Sequence, residues 1–273
     1  MRPEHALTVE TYLKFGRQFI ADQFLPHAGE LSEIREFRRF DQRFLVLCAS
    51  RSGSELLCYL LRDFGAETGE SMNFLPDVGA EVRRRGMPTL RDAVVALCRR
   101  APATAFSAKG TGMMLVPFLL YDELPTYRDE WRFVILERRD ILAQAVSLAI
   151  AELTGVWRSD GSHTATPREE DYDSGRILRG LDAIAQVNAH ITRLESALGV
   201  RSMRVVFEDL VDDPRATSDR VGAFLGLRRL GEQALEGTDR AVVAPPRSQH
   251  SAVNRLWAER FRREEFDIQP IRR

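Results

Sequence analysis

Four short apolar runs constrain this chain more than anything else in it: FLVLCA at 44–49, TAFSA at 104–108, RFVIL at 132–136 and MRVVF at 203–207. Each has the length and apolar character of a buried strand, and helical patterns lie between or after them. Strands alternating with helices imply right-handed crossovers and a parallel sheet covered on both faces. The expected fold class is therefore α/β, a central mostly parallel sheet flanked by helices. Ligands of such sheets sit beyond the carboxyl ends of the strands, so the residues just after each run carry the functional reading.

With 273 residues, 44% of them hydrophobic, the chain is long enough for one large core. Residues 8–25 place Val9, Tyr12, Leu13, Phe19, Ile20 and Phe24 at roughly helical spacing until Pro26 breaks the pattern. Residues 1–43 are read as an N-terminal helical extension and 44–273 as a single α/β domain. No internal repeat interrupts it. Lys and Arg number 39 against 40 for Asp and Glu, which argues against nucleic acid and against an anionic membrane surface as partners. Cys48, Cys58 and Cys98 lack metal-like spacing and sit among apolar residues, as free thiols in a reducing cytoplasm do. No stretch has the length of a membrane span or of a signal sequence, so a cytoplasmic protein with no integral membrane association is expected.

After the first strand comes Ser50-Arg51-Ser52-Gly53-Ser54, and then Leu56, Leu57, Leu60, Leu61 and Phe64 mark one face of a helix that Gly65 stops. A helix that begins at a turn rich in Gly and hydroxyls offers unpaired amides to an anion such as a phosphate. The turn lacks the first Gly and the Lys of the Walker pattern, and it fails the dinucleotide fingerprint. Two readings stand: an anion site, or an ordinary turn capped by its serines. After the third strand, Glu137-Arg138-Arg139-Asp140 leads into ILAQAVSLAIAEL, where Ser147 follows within two turns. Arg138 with Ser147 suits a second phosphate. The alternative is that Arg138 and Arg139 pair with surface acids such as Asp140.

Taken together, SRSGS, RRDILAQAVS, TGVW at 154–157, FEDLVDDP at 207–214 and WAERFRRE at 257–264 resemble sulfotransferases that use 3′-phosphoadenosine 5′-phosphosulfate. Among these the chain most resembles the bacterial group typified by trehalose 2-sulfotransferase. The resemblance runs from about residue 44 to about 263 and implies a P-loop-like sulfotransferase fold. It implies that Arg51, Ser52, Gly53 and Ser54 grip the 5′-phosphosulfate, and that Arg138 and Ser147 hold the 3′-phosphate. Gln249 falls where the family has a further donor-site Gln, whereas Arg247 is one place out of register. Glu70, in TGESMNF, falls at the family's general base, with Glu67 the next candidate, and Lys109 falls where a Lys touches the transferring sulfonate. The implied reaction transfers a sulfonate to a hydroxyl of a carbohydrate, glycolipid or related metabolite, leaves 3′-phosphoadenosine 5′-phosphate and needs no metal. The resemblance also implies a homodimer.

Three departures bear on that reading. Glu55 replaces the family's Thr beside the phosphosulfate, and Ser71 and Asn73 replace the Pro and second Glu around Glu70, so an acceptor other than trehalose is expected. Trp157 and the polar stretch 158–175 suit a wall or lid of the acceptor site. The competing functions are a nucleotide-dependent phosphoryl-transfer enzyme with a short anion loop, and a non-catalytic relative.

Overall fold

The computed structural model describes residues 24–66, 78–101, 105–111, 115–121, 123–157, 167–230 and 252–266. Within them lie strands β1 (Gln42–Cys48), β2 (Ala105–Gly110), β3 (Trp131–Glu137) and β4 (Arg201–Val206). The helices are α1 (Ser54–Leu61), α2 (Val78–Arg84), α3 (Leu90–Arg100), α4 (Leu115–Leu120), α5 (Glu123–Tyr127), α6 (Ile141–Thr154), α7 (Ser174–Leu198), α8 (Phe207–Asp212), α9 (Pro214–Leu225) and α10 (Ala252–Phe266).

The strands form one sheet in the order β2-β1-β3-β4, with every neighbouring pair parallel. Central β1 is buried on both sides because its side chains alternate between two cores. Leu45 and Leu47 face a core built with Phe37, Phe106, Phe118, Phe133 and Trp131 beneath α3, α4 and the end of α7. Phe44, Val46 and Cys48 face the other, closed by Leu57 and Leu61 of α1, Leu210 of α8 and Val221 and Leu225 of α9. A third apolar cluster joins Ala49 and α6 to α7 and α10 through Ala145, Val146, Ile177, Ile184, Trp257 and Phe261. The aromatics of the WAERFRRE tail thus serve packing, with Tyr172 edge-on to Trp257 at 5.8 Å between ring centroids.

Residues 24–40, ahead of the first strand, supply Phe24, Ile34, Phe37 and Phe40 to the first core. The Val9, Tyr12 and Phe19 stripe lies outside the described residues. All four strands end a residue or two from their sequence reading, and two of these ends bear on the site. β2 continues to Gly110, which pairs with Leu47, so Lys109 lies inside the strand rather than after it. β4 stops at Val206, whose partner Glu137 is the last residue of β3, and Phe207 opens α8. Hydrogen-bonding partners, not local propensity, decide both ends.

At the amino ends of β1 and β3, Glu123 is fully buried, and both its carboxylate oxygens accept from Arg38 Nη2, at 3.0 and 2.8 Å. Arg38 also donates to Glu33 at 2.9 Å, and Arg43 pairs with Glu130. Burial pushes the Glu123 carboxyl up to about 7 despite Arg38. All three cysteines are free and buried.

Candidate anion-binding site

The register brings the carboxyl ends together: Leu47 pairs with Gly110, Cys48 with Leu136 and Glu137 with Val206. The loop after β1, residues 138–140 after β3 and the start of α8 after β4 therefore meet at one edge of the sheet.

The loop 49–53 turns sharply through two left-handed residues, Arg51 at φ 64° and Gly53 at φ 88°. Gly is needed at the second position for a further reason: a Cβ there would stand 2.2 Å from Cδ2 of Phe207. A non-glycine residue such as Arg51 holds this backbone only when its surroundings over-determine it. Here its Nε donates to Ser147 Oγ at 3.1 Å and its Nη1 to the Trp157 carbonyl at 2.7 Å. Gln144, three residues before Ser147 on the same face of α6, donates from Nε2 to the Ser50 carbonyl at 2.7 Å. The loop is thus lashed to α6.

Several polar groups at this edge lack, among the described residues, the partners that buried groups need. Gly53 N-caps α1 with no side-chain hydrogen bond, so the first amides of the helix have no acceptor from a capping side chain. Ser52 is fully buried, and its Oγ has no hydrogen-bond partner among the described residues. Nor do Oε1 of Gln144 and Nε of Arg138. The Cys48 thiol lies beneath the turn, pushed up by burial although the Ser54 and Ser52 hydroxyls work against that; so weak a sulfur contact does not satisfy a buried hydroxyl.

Arg138 leaves the end of β3 and lies over the ring of Phe207, with Cζ 4.8 Å from the centroid. Its nearest carboxylate, Glu208, is 3.9 Å away, beyond hydrogen-bonding distance. Burial holds the Arg138 guanidinium below its ordinary value, with Glu208 and Asp140 opposing. Burial also lowers that of Arg51, and the positive charge of Arg138 adds to it. Two like charges are held near each other with only partial access to water, an arrangement that an anion of more than one charge would relieve.

Arg139 behaves differently. It is exposed and pairs with Asp209, not with Asp140, whose side chain caps α6 by accepting from the Ala143 amide at 2.8 Å. Glu208 accepts from the amides of Arg139 and Asp140 at 3.0 and 3.3 Å and so fixes this loop against α8. On the other side of the β1 loop, Lys109 is buried in β2, and its Nζ donates to the carboxylate of Glu55, in the first turn of α1.

Of the residues picked out in the sequence, Arg51, Ser52, Gly53, Ser54, Arg138 and Ser147 converge here. The grouping differs in one respect: Arg51, expected with the first phosphate-binding set, is bonded to Ser147 of the second. Lys109 stands beside the same loop, tied to Glu55. Glu70, Glu67, Arg247 and Gln249 lie outside the described residues. Trp157 contributes its carbonyl, while its side chain is about half exposed. Sequence reasoning missed Gln144, Phe207 and Glu208. The rule that singles out residues after each strand points to Phe207 and Glu208, and the helical spacing from Ser147 points to Gln144.

Comparison with known proteins places this geometry in context. The family model described as Stf0 sulphotransferase matches residues 128–264, the part that holds Arg138, Ser147, Phe207 and Trp257. Among solved structures, the chain is similar to the sulfotransferase domain from the Synechococcus PCC 7002 olefin synthase, at 18% identity and a TM-score of 0.47 over 88% of this chain and 91% of that one. It is also similar to the sulfotransferase domain from the curacin biosynthetic pathway, at 14% identity and 0.46 over 80% and 89%. A sulfotransferase from Alicyclobacillus acidocaldarius aligns at 17% identity and 0.43 over 68% and 81%. None of the curated proteins compared with the chain matches it.

Proposed function

Since the chain belongs to the Stf0 sulphotransferase family, we propose that it transfers a sulfonate from 3′-phosphoadenosine 5′-phosphosulfate to a hydroxyl of a small carbohydrate, glycolipid or related metabolite. The observation that carries this reading is the pair of half-buried guanidiniums, Arg51, bonded to Ser147, and Arg138, close enough for its charge to act on Arg51, with no carboxylate among the described residues within hydrogen-bonding distance of Arg138. A 3′-phosphate carries the charge such a pair lacks and has oxygens enough for both arginines and the serine. Ser52, whose buried hydroxyl is unpartnered, the opening amides of α1, and Lys109 then face the 5′-phosphosulfate. Gln249 adds a further contact to the nucleotide.

In the proposed step the acceptor oxygen attacks sulfur in line. The new S–O bond forms as the bond from sulfur to the 5′-phosphate oxygen breaks, and the electron pair leaves with 3′-phosphoadenosine 5′-phosphate. Glu70 takes the hydroxyl proton. Amides and cations already in place stabilise the charge that develops on the leaving phosphate. The motifs RSGS and RRDILAQAVS support a place near the trehalose 2-sulfotransferase group, and Ser71 and Asn73 support a different acceptor. The protein is read as a cytoplasmic homodimer, which its mass in solution checks.

The reading is tested with the full chain in two steps. 3′-Phosphoadenosine 5′-phosphate is expected to raise the melting temperature in proportion to the logarithm of its concentration, and ATP with Mg²⁺ is not. Preference for ATP would overturn the donor assignment. On an acceptor found by screening sugars and glycolipids with labelled donor, Glu70→Gln is expected to cut turnover by about 10² to 10⁴ while donor affinity barely moves. Turnover within a few-fold of the parent would remove Glu70 from the role of base.

A further inference from the structure

One acidic side chain stands within the field of two cations of this site. Glu55 accepts from Lys109 Nζ, and its charge also partly offsets the lowering of the Arg51 guanidinium. The two partners of the ion pair are held very differently. Lys109 projects from β2, its side chain only 10% exposed, whereas that of Glu55 is 51% exposed, on the first turn of α1. A buried ammonium needs a counter-charge, and Glu55 supplies it in the free protein. When a second anion arrives at Lys109, the partner with water to move into is Glu55.

We infer that Glu55 is a specificity-determining residue for the donor: its carboxylate occupies the position on Lys109 Nζ that the transferring sulfonate takes, so the donor binds by exchanging one anion for another. The inference rests on the sulfotransferase reading above. Its consequence is selective. The donor carries a sulfonate beyond its 5′-phosphate and must displace Glu55, while 3′-phosphoadenosine 5′-phosphate ends at that phosphate and leaves the pair intact. Glu55 therefore weakens the donor relative to the product, and its return to Lys109 follows the departure of the sulfonate. A carboxylate that merely repelled anions would weaken both nucleotides alike.

Binding of the two nucleotides is measured by calorimetry for the parent chain, Glu55→Gln and Glu55→Thr, without acceptor. Removing the competing charge is expected to tighten 3′-phosphoadenosine 5′-phosphosulfate roughly tenfold and 3′-phosphoadenosine 5′-phosphate by less than about threefold. Both variants leave Lys109 without its counter-charge and are expected to melt at a lower temperature yet fold, since Glu55 itself is half exposed, and circular dichroism of each before titration checks this. Equal tightening of both nucleotides, no tightening, or weakening of the donor overturns the exchange while leaving the sulfotransferase reading intact if the parent binds 3′-phosphoadenosine 5′-phosphate. Failure of all three proteins to bind either nucleotide overturns both.

Discussion

Arg138 is held by an aromatic face rather than by a carboxylate, and this decides what its removal does. With Cζ 4.8 Å above Phe207 and Glu208 at 3.9 Å, the guanidinium keeps donors that the proposed 3′-phosphate would take. Arg138→Ala is expected to weaken 3′-phosphoadenosine 5′-phosphate by about 1.5 to 3 kcal/mol, the range for a charge-assisted bond, while the circular dichroism spectrum and melting temperature stay near those of the parent. Arg139→Ala is expected to do much less, because its guanidinium is exposed and already engaged by Asp209. Calorimetric titration of both variants checks the pair of expectations, and an unchanged affinity in Arg138→Ala would remove that residue from the proposed phosphate site. The adjacent arginines look alike in sequence. They differ because one side chain lies over the ring of Phe207 and the other pairs with Asp209 at the surface.

At the scale of elements, the turn from β1 to α1 is a strained segment fastened at three points. Ser147 and the Trp157 carbonyl hold the side chain of Arg51, and Gln144 holds the Ser50 carbonyl. Phe207 covers Gly53 so closely that no Cβ fits. Gly53→Ala combines a left-handed φ with a clash against a partly buried ring, and is expected to cost about 1 to 3 kcal/mol of stability and to weaken nucleotide binding with it. Urea unfolding alongside nucleotide titration checks this; a variant as stable as its parent would mean that Phe207 moves aside freely. The position of the turn was legible in the sequence, because an apolar run gives way there to Ser, Arg and Gly and then to a helical pattern. Its fastening was not. Phe207 lies more than 150 residues away, and only the pairing of β1 with β3 and of β3 with β4 brings it over Gly53.

At the scale of the molecule, the two ends of the sheet are polarised. The carboxyl end carries the candidate site, and the amino end carries buried Glu123 with Arg38, Arg43, Glu33 and Glu130. Burial is the largest influence on the Glu123 carboxyl and lifts it to about 7, against an ordinary value of 4.5. Between those values the folded chain keeps a proton that the unfolded chain has released, so stability falls as pH rises from about 4.5 to about 7. Melting temperatures between pH 5 and 7.5 are expected to decline through this group, and Glu123→Gln is expected to flatten that part of the profile. An equal slope in the variant would assign the decline to other groups.

Sequence alone determined the α/β class and pointed to the strand ends at which the candidate site lies, since four apolar runs alternating with helical patterns leave few ways to bury both faces of a sheet. It also singled out Arg51, Ser52, Gly53, Arg138 and Ser147, because residues after strands and on the first turns of helices are read from local order. Tertiary structure decided what each of them touches. Arg51 joins Ser147, Lys109 lies within β2 and pairs with Glu55, and Phe207 and Glu208 brace loops far from them in the chain. The physical reason is the range of the forces. Hydrophobic periodicity and turn chemistry act over a few residues, whereas ion pairs, the stacking of a guanidinium on a ring and the fit of a glycine beneath it depend on strand order and register, which follow only when the whole sheet assembles.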